Sequence, residues 1–483
     1  MHFSLIAKIL GMLLMLFGTI ATMLPIMVSL YYADGSVVAF AQSFVYMFVL
    51  GFIMWASNYR SRGGLSTRDG FLLVTLFWAV LGSAGSLPLI FGSTQLSVVD
   101  AVFESISGLT ATGASVISGL DALPQSILFY RQLLHWMGGM GIIVLAMALL
   151  PMLGVGGMQL YRAEAPGPVK DTKLVPRLAE TAKALWIIYL ALTVTCAAAF
   201  WLAGMSLFDA IAHSFSTIAI GGFSTHDASF GYFDSRAIEF VGILFMFLAG
   251  VNFALHFVAW RGRSLSHYLR DSELKFYLLI LLVVSTVTIS VLNLFEVYPT
   301  VFETFIKGLF HVVSFSTTTG FSTGGVNDWP IFLPYLLVYI GMVGACAGST
   351  SGGIKVIRVL LFFKQGLREI TRLIHPHAVI PIKLGRVPVR DSVTDAVWGF
   401  FAVYIASIMV MMLALVATGV DLITAFSAVA ACINNLGIGI AGVAGGFGVL
   451  TDSAKWILSF AMLFGRLELF TLIVLFTPMF WRR

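Results

Sequence analysis

The chain has 483 residues, 59% of them hydrophobic and 11% charged, with a formal net charge of +5. Together with a mean hydropathy of +0.96, this lies far outside the range of water-soluble domains and excludes a globular enzyme or a nucleic-acid-binding module as the body of the chain. The expectation is an all-α polytopic membrane protein, because a helix satisfies its own backbone hydrogen bonds inside lipid.

About 20 consecutive apolar residues cross a bilayer as a helix. Such segments are expected near 5–31, 37–57, 71–91, 132–154, 184–204, 237–260, 276–296, 330–362, 396–419 and 455–480. The first contains Lys8 but exceeds a signal-peptide core of roughly 7 to 15 residues and lacks a small-residue cleavage site, so it reads as a retained helix. Cys196, Cys346 and Cys432 sit far apart in apolar or glycine-rich stretches and read as packing residues.

Basic residues set the expected orientation. Arg60, Arg62 and Arg68 share one loop, Arg162, Lys170, Lys173, Arg177 and Lys183 a second, Arg261, Arg263, Arg270 and Lys275 a third, and a fourth runs from Lys355 to Arg390. These are alternate loops, so the positive-inside rule makes them cytoplasmic, with both termini on that side. The opposite loops hold only Arg131, Arg236, Lys307 and Lys455, against Asp100, Glu104, Asp121, Asp209, Asp227, Asp234, Glu303, Asp328, Asp421 and Asp452. The external acids read either as solvated loop surface or as a mouth that concentrates cations.

Each external loop after the first holds a stretch of about a dozen semi-apolar residues, too short to span. The four end in SGLTATGAS (107–115), STIAIGGFST (216–225), SFSTTTGFST (314–323) and CINNLGIGI (432–440). Superposing Gly113, Gly222, Gly320 and Gly437 gives a period of roughly 100 residues. The match extends to Ser107, Ser216, Ser314 and Ala431 six residues upstream, and to Asp100 and Asp209 thirteen upstream. Residues 223–225 and 321–323 are identical after their glycines, whereas Asn434 and Asn435 make the fourth unit the poorest fit. The expected organisation is an N-terminal helix pair (1–68) and four repeats, 69–160, 161–270, 271–375 and 376–483, each a helix, a short pore helix, a glycine-bearing strand and a helix.

A short helix that stops mid-membrane aims its partially negative C-terminus at the bilayer centre, which favours a cation there. Four such ends, each followed by backbone carbonyls, would form a ring able to replace an ion's hydration shell. Glycine suits the turning point because it accepts dihedrals that a Cβ forbids.

The four glycine loops, the stretch Gly-Ala-Cys-Ala-Gly-Ser-Thr-Ser-Gly-Gly (344–353) and the run Phe-Gly-Arg-Leu-Glu (464–468) resemble the Trk/Ktr/HKT potassium transporter superfamily. The N-terminal helix pair and the loop Ala165-Pro166-Gly167-Pro168 make the chain most similar to its bacterial TrkH branch. The resemblance implies four fused potassium-channel-like repeats around one pore, a homodimer with one pore per subunit, and low-affinity K+ uptake across the bacterial inner membrane. It also implies a cytosolic TrkA-like regulatory subunit that carries the nucleotide sites for NAD or ATP, with no cofactor in this chain. By the same resemblance the filter carbonyls come from Ala111, Thr112 and Gly113; Ile220, Gly221 and Gly222; Thr318, Thr319 and Gly320; and Asn435, Leu436 and Gly437. Members with serine at the first glycine tend to admit sodium, so glycine at all four positions favours potassium.

In the third repeat Gly344, Gly348, Gly352 and Gly353, with Ser349, Thr350 and Ser351 between them, interrupt a spanning segment just before Lys355. This reads either as close helix packing by small residues or, by the resemblance, as a gating loop beneath the filter. Arg466 lies within the last segment, where a buried charge costs at least ~2.5 to 3.5 kcal/mol on insertion scales. It reads as a structural partner of Glu468 or of a helix-terminus carbonyl, or as an electrostatic barrier in the permeation path.

The match of residues 437–442 to G-x-G-x-x-G lacks the strand and acidic residue of a dinucleotide site and is set aside. His213 and His311, each nine residues before a repeat glycine, read as pore-helix packing or capping residues, with a proton or metal role as the other possibility. Intramembrane proteolysis would need a metal motif or a Ser/His constellation that the sequence does not supply. A coupled K+/H+ or K+/Na+ symporter remains the alternative to a gated pore.

Overall fold

The computed structural model describes residues 1–61, 63–144, 174–385 and 387–482. The Ala165-Pro166-Gly167-Pro168 stretch, the end of the segment expected at 132–154, and Arg62, Arg162, Lys170 and Lys173 lie outside the described residues, as does the side chain of Arg177.

Helix α1 (Phe3–Tyr32) packs lengthwise on α2 (Val37–Ser57). Their crossing is set by Gly11 and Gly51: a Cβ on either would lie 2.5 or 2.7 Å from the other's carbonyl oxygen. Small residues thus let two apolar helices approach backbone to backbone, as lipid-embedded pairs do.

The next elements repeat a pattern. Helix α3 (Thr67–Ala84), with its short continuation α4 (Leu87–Phe91), precedes the buried helix α5 (Val98–Leu109) and then α6 (Gln125–Val144). Helix α7 (Leu174–Leu202) precedes α8 (Leu207–Ala219) and α9 (Arg236–Gly250), which α10 (Phe253–Gly262) follows at a 92° bend. After the short α11 (Ser266–Arg270), α12 (Ser272–Leu294) precedes α13 (Val301–Ser316), α14 (Phe332–Val343) and α15 (Val356–Ile374). A two-residue ribbon pairing Lys383 with Pro388 and Leu384 with Val387 leads to α16 (Asp391–Ala417), α17 (Leu422–Ile433) and α18 (Asp452–Arg466). The chain then turns by 109° into α19 (Phe470–Ile473) and ends in α20 (Pro478–Trp481).

Several expected spans are therefore not single helices. Among the described residues six helices are long and apolar enough to cross a membrane, or up to eight if each bent pair counts as one span. The segment expected at 237–260 breaks at Val251 and Asn252, where the Asn252 side chain caps α10 by accepting from Ala254 N. The 330–362 segment breaks over 344–355, and the 455–480 segment at Leu467–Leu469, where Glu468 and Leu469 both adopt positive φ. Apolar composition alone does not separate a straight helix from a broken one, and each break uses a polar cap, a glycine or a left-handed residue.

The four short buried helices α5, α8, α13 and α17 begin alike. Ser97, Ser206, Thr300 and Asp421 cap them by accepting from Asp100 N, Asp209 N, Glu303 N and Thr424 N at 3.0 to 3.2 Å. Each cap satisfies an otherwise unpaired first-turn donor.

The segments that carry the expected external acids are tied together by ion pairs and hydrogen bonds. Lys455 meets Asp100 and Lys307 meets Glu239, each at 2.5 Å. Glu104, expected among the outer acids, is instead fully buried against Arg131 at 2.8 Å. The Asp227 carboxylate accepts from Gly119 N and Leu120 N, while His226 stacks on Tyr232 and meets Asp121 at 2.5 Å and Asp209 at 3.5 Å. Burial opposes charge on His226, but the two carboxylates prevail and raise its pKa above the ordinary histidine value. A raised folded-state pKa contributes stability that is complete below the unfolded value and is lost as pH rises through the folded one. The thermal midpoint of the detergent-solubilised protein is expected to fall as pH climbs from about 6 to 8, and His226→Gln should flatten that slope in a melting series across pH.

Candidate functional site

The carboxyl ends of α5, α8, α13 and α17 converge, and the glycine loop after each repeats one backbone geometry. Ala111, Ile220, Thr318 and Asn435 have φ between 49° and 63°, and Gly113, Gly222, Gly320 and Gly437, two residues on, have φ between 75° and 85°. The residue between keeps negative φ, so the hand alternates along each strand. That alternation aligns successive peptide groups instead of turning them to opposite sides as a β-strand does. Left-handed backbone costs a non-glycine residue about 1 to 2 kcal/mol, and it is most unusual for the β-branched Ile220.

The hydrogen bonds that hold this conformation recur. Thr112, Gly221, Thr319 and Leu436 each donate a backbone N–H to the carbonyl five residues back, on Ser107, Ser216, Ser314 and Ala431, at 2.8 to 2.9 Å. This accounts for the small residues there: the strand doubles back closely over the end of its own helix. Those four residues supply a carbonyl, and the unmatched side chain of Ala431 is no defect in the fourth unit.

The four strands also touch one another in a closed order. A Cβ on Gly113 would lie 2.1 Å from Gly221 O, one on Gly222 2.1 Å from Thr319 O, one on Gly320 2.2 Å from Leu436 O, and one on Gly437 2.1 Å from Thr112 O. The first unit thus abuts the second, the second the third, the third the fourth, and the fourth the first. All twelve residues expected at a filter lie in this ring. Gly221 departs from the bulkier residues at the matching positions because the His135 ring occupies the space of a side chain, 2.2 Å from a Cβ there.

Directly against this ring lies the segment between α14 and α15. Gly352 N donates to Thr318 Oγ1 at 2.7 Å, Gly353 N to Asn434 O at 3.1 Å, and Thr350 Oγ1 to Ile218 O at 2.9 Å. The segment therefore touches three of the four units. Gly344 and Gly353 have φ of 75° and 73° and approach so closely that a Cβ on Gly353 would lie 2.9 Å from Gly344 Cα. Gly352 meets Asn434 O at 1.9 Å by the same construction, and Gly348 has φ of 72°. The backbone of Ala347 and Ile357 is anchored to the Glu273 carboxylate at 2.6 and 3.2 Å. The glycines do not join two straight helices; they form a compact, hydrogen-bonded plug.

Arg466, 6% exposed, donates from Nη1 to Thr350 O of this plug at 3.2 Å, and its Nε and Nη2 have no partner among the described residues. Glu468, a candidate partner by sequence, is held instead by Arg358 at 2.6 Å, whose guanidinium also lies 4.4 Å from the Phe400 ring centre. Lys355 Nζ donates to Ser351 O. Ser351, Gly352, Lys355, Asn435, Arg466 and Glu468 help to line a cavity of about 40 Å³. Among the described residues, no cluster of three or more His, Cys, Asp or Glu side chains could hold a metal ion, His213 and His311 included.

This geometry defines a multi-pass membrane protein in which four backbone loops meet in one ring with the glycine-rich segment between α14 and α15 packed against it. The chain belongs to the TrkH cation transport protein family, whose profile matches residues 36–483. It is 56% identical over 485 residues to the Trk system potassium uptake protein TrkH of Vibrio parahaemolyticus and 54% identical over 484 to that of Escherichia coli K12, covering 100% of both chains in each pair. The TrkG protein of Escherichia coli K12 is 41% identical over 485 residues, covering 100% of this chain and 99% of TrkG. The crystal structure of the potassium transporter TrkH from Vibrio parahaemolyticus superposes with a TM-score of 0.93 at 52% identity over 100% of each chain.

Replacing any of the four ring glycines by alanine is expected to destabilise the protein by at least about 1 kcal/mol through left-handed strain alone. The check is the thermal midpoint of the purified variants, with Gly366→Ala, where a Cβ meets nothing within 4 Å, as the control that should not fall.

Proposed function

We propose that the chain takes up potassium through a gated, channel-like pore whose filter is the ring of four glycine strands. The observation that carries this reading is the closed set of glycine-on-carbonyl contacts, because a ring of aligned carbonyls can replace the hydration shell of a dehydrated cation. Potassium as the ion is supported by relatives that are potassium uptake proteins and by glycine, not serine, at all four positions. Ala111, Thr112 and Gly113, Ile220, Gly221 and Gly222, Thr318, Thr319 and Gly320, and Asn435, Leu436 and Gly437 then supply the ion-facing carbonyls. The cargo needs no resident cofactor.

The four units are read as fused potassium-channel-like repeats, 69–160, 161–270, 271–375 and 376–483, behind the helix pair 1–68. In the inner membrane, with both termini cytoplasmic, the four short helices enter from outside and turn their partially negative ends toward the ion. Gly344, Gly348, Gly352 and Gly353 form the gate below the filter, and Arg466 adds a positive charge to the same path. A homodimer with a cytosolic TrkA-like, NAD- or ATP-binding subunit completes the assembly. The basic loops Arg162 to Lys183, largely outside the described residues, and Lys355 to Arg390 are the candidate docking surfaces.

Flux of K+, Rb+, Na+ and Li+ into proteoliposomes, with and without a proton gradient, tests the reading. Equal sodium and potassium flux would overturn the filter assignment, and proton- or sodium-driven accumulation against a potassium gradient would establish the coupled K+/H+ or K+/Na+ symporter instead. In the same assay Gly320→Ser should weaken potassium discrimination by about tenfold, equivalent to ~1.4 kcal/mol. Arg466→Ala should raise basal flux by removing the barrier charge; unchanged flux at normal expression argues against that role.

A further inference from the structure

Nine residues before the ring glycine, the four units carry Glu104, His213, His311 and Ala428, and two residues after it Ser115, Ser224, Ser322 and Gly439. A polar side chain at the first position accompanies serine at the second in three units, and the fourth lacks both. In the structure these positions meet. Glu104 accepts from Ser115 Oγ at 3.0 Å and from Val116 N at 2.9 Å. His213 Nε2 accepts from Ser224 Oγ at 2.9 Å, and His311 Nε2 accepts from Thr323 N at 3.3 Å with Ser322 Oγ 3.4 Å away.

Both imidazoles are fixed in one form. His213 Nδ1 donates to Asp209 O and His311 Nδ1 to Lys307 O, each at 2.9 Å in the preceding helical turn. With Nδ1 carrying the hydrogen, Nε2 of a neutral ring presents a lone pair to the strand. Both rings are fully buried and wedged among aromatics: His213 edge-on to Phe230 and Phe233, His311 edge-on to Trp329. Glu104 is oriented by Arg131, whose Nη1 also donates to Ser224 O at 3.2 Å, tying the first unit's brace to the second unit's strand. In the fourth unit Ser427 Oγ, one position earlier, accepts from Ile440 N at 2.7 Å.

Resting on the reading of the ring as an ion filter, we propose that Glu104, His213 and His311 are positioning residues for ion discrimination. Each pins the strand just beyond its glycine to the helix before it, so that the carbonyl ring keeps the radius that suits potassium and does not contract around a smaller ion. They touch no ion themselves. The hydrogen-bond acceptor, more than the ring's bulk, is what the strand requires.

The experiment compares Rb+ and Na+ flux in proteoliposomes of the full chain carrying His311→Ala, His311→Gln, Ser224→Ala, His213→Ala or the His213→Ala/Ser224→Ala pair, with Gly320→Ser alongside. Losing one such bond should lower the Rb+ to Na+ ratio by roughly fivefold, which corresponds to about 1 kcal/mol. His311→Gln, whose amide oxygen falls near the position of Nε2, should recover most of that ratio, which a purely packing role would not predict. The double variant should lose less than the sum of the two single variants, because both delete the His213–Ser224 bond, while Ser224→Ala alone also removes the acceptor of His226 N at 3.1 Å. Ser224→Ala removes only a hydroxyl and keeps the test open should a histidine variant fail to assemble. An unchanged ratio in His311→Ala and Ser224→Ala while Gly320→Ser loses discrimination overturns the brace and leaves the filter standing; an unchanged ratio in Gly320→Ser overturns the filter reading beneath it.

Discussion

The structure depends on backbone meeting backbone where the four glycine loops converge. Four glycines sit against four carbonyls of the neighbouring units, at separations where a single added carbon would be about 2 Å from oxygen. A residue with a Cβ at any of these four positions could not close the ring so tightly. The cost of the ring is the left-handed residue two positions earlier in each strand, and its support is the repeated bond from strand N–H to the helix end. Irregular backbone is tolerable inside a membrane protein only where it is packed in protein or lines a water-filled cavity, and the ring residues are buried except for Gly113, Gly222 and Gly320, which are partly exposed.

The rest of the architecture serves that enclosure. The short helices are capped at their N-termini and buried through their C-terminal halves, so they act as rigid struts. Arg131 and Glu104, a fully buried ion pair, sit behind the first strand and reach the second. Pairs of this kind are costly to break one partner at a time. The plug between α14 and α15 packs against the ring by hydrogen bonding to three units, and Arg466 closes on the plug's own carbonyl. The plug is therefore held by several buried hydrogen bonds at once and is not a loosely tethered loop.

The repeats were legible from sequence where backbone geometry dictates residue type. Glycine at 113, 222, 320 and 437 and small residues six positions upstream are required by close approach, and a period of about 100 residues makes them visible. The N-terminal pair, the short semi-apolar helices and the interruption at 344–353 were legible by length and composition. The breaks after Gly250 and Arg466 were not, because a hydropathy window sums over a bend. Nor was the burial of Glu104, which by charge alone belongs with Asp121 and Asp227 on exposed loops. The role of His213 and His311 was half visible: their shared register to the glycine was plain, but only the serine two residues beyond it, read together with them, could have marked them as braces.

By itself the sequence determined that the chain lies in a membrane, that four short helices each lead into a glycine loop, and which glycines sit at the turning points, since each of these follows from local chemistry: apolar run length, helix capping and the dihedrals open to a residue without Cβ. Tertiary structure alone decided the order in which the units touch, the placement of the plug against the ring, and the pairing of Glu468 with Arg358 in place of Arg466. Those are contacts between segments tens to hundreds of residues apart, decided by packing geometry that no local pattern encodes.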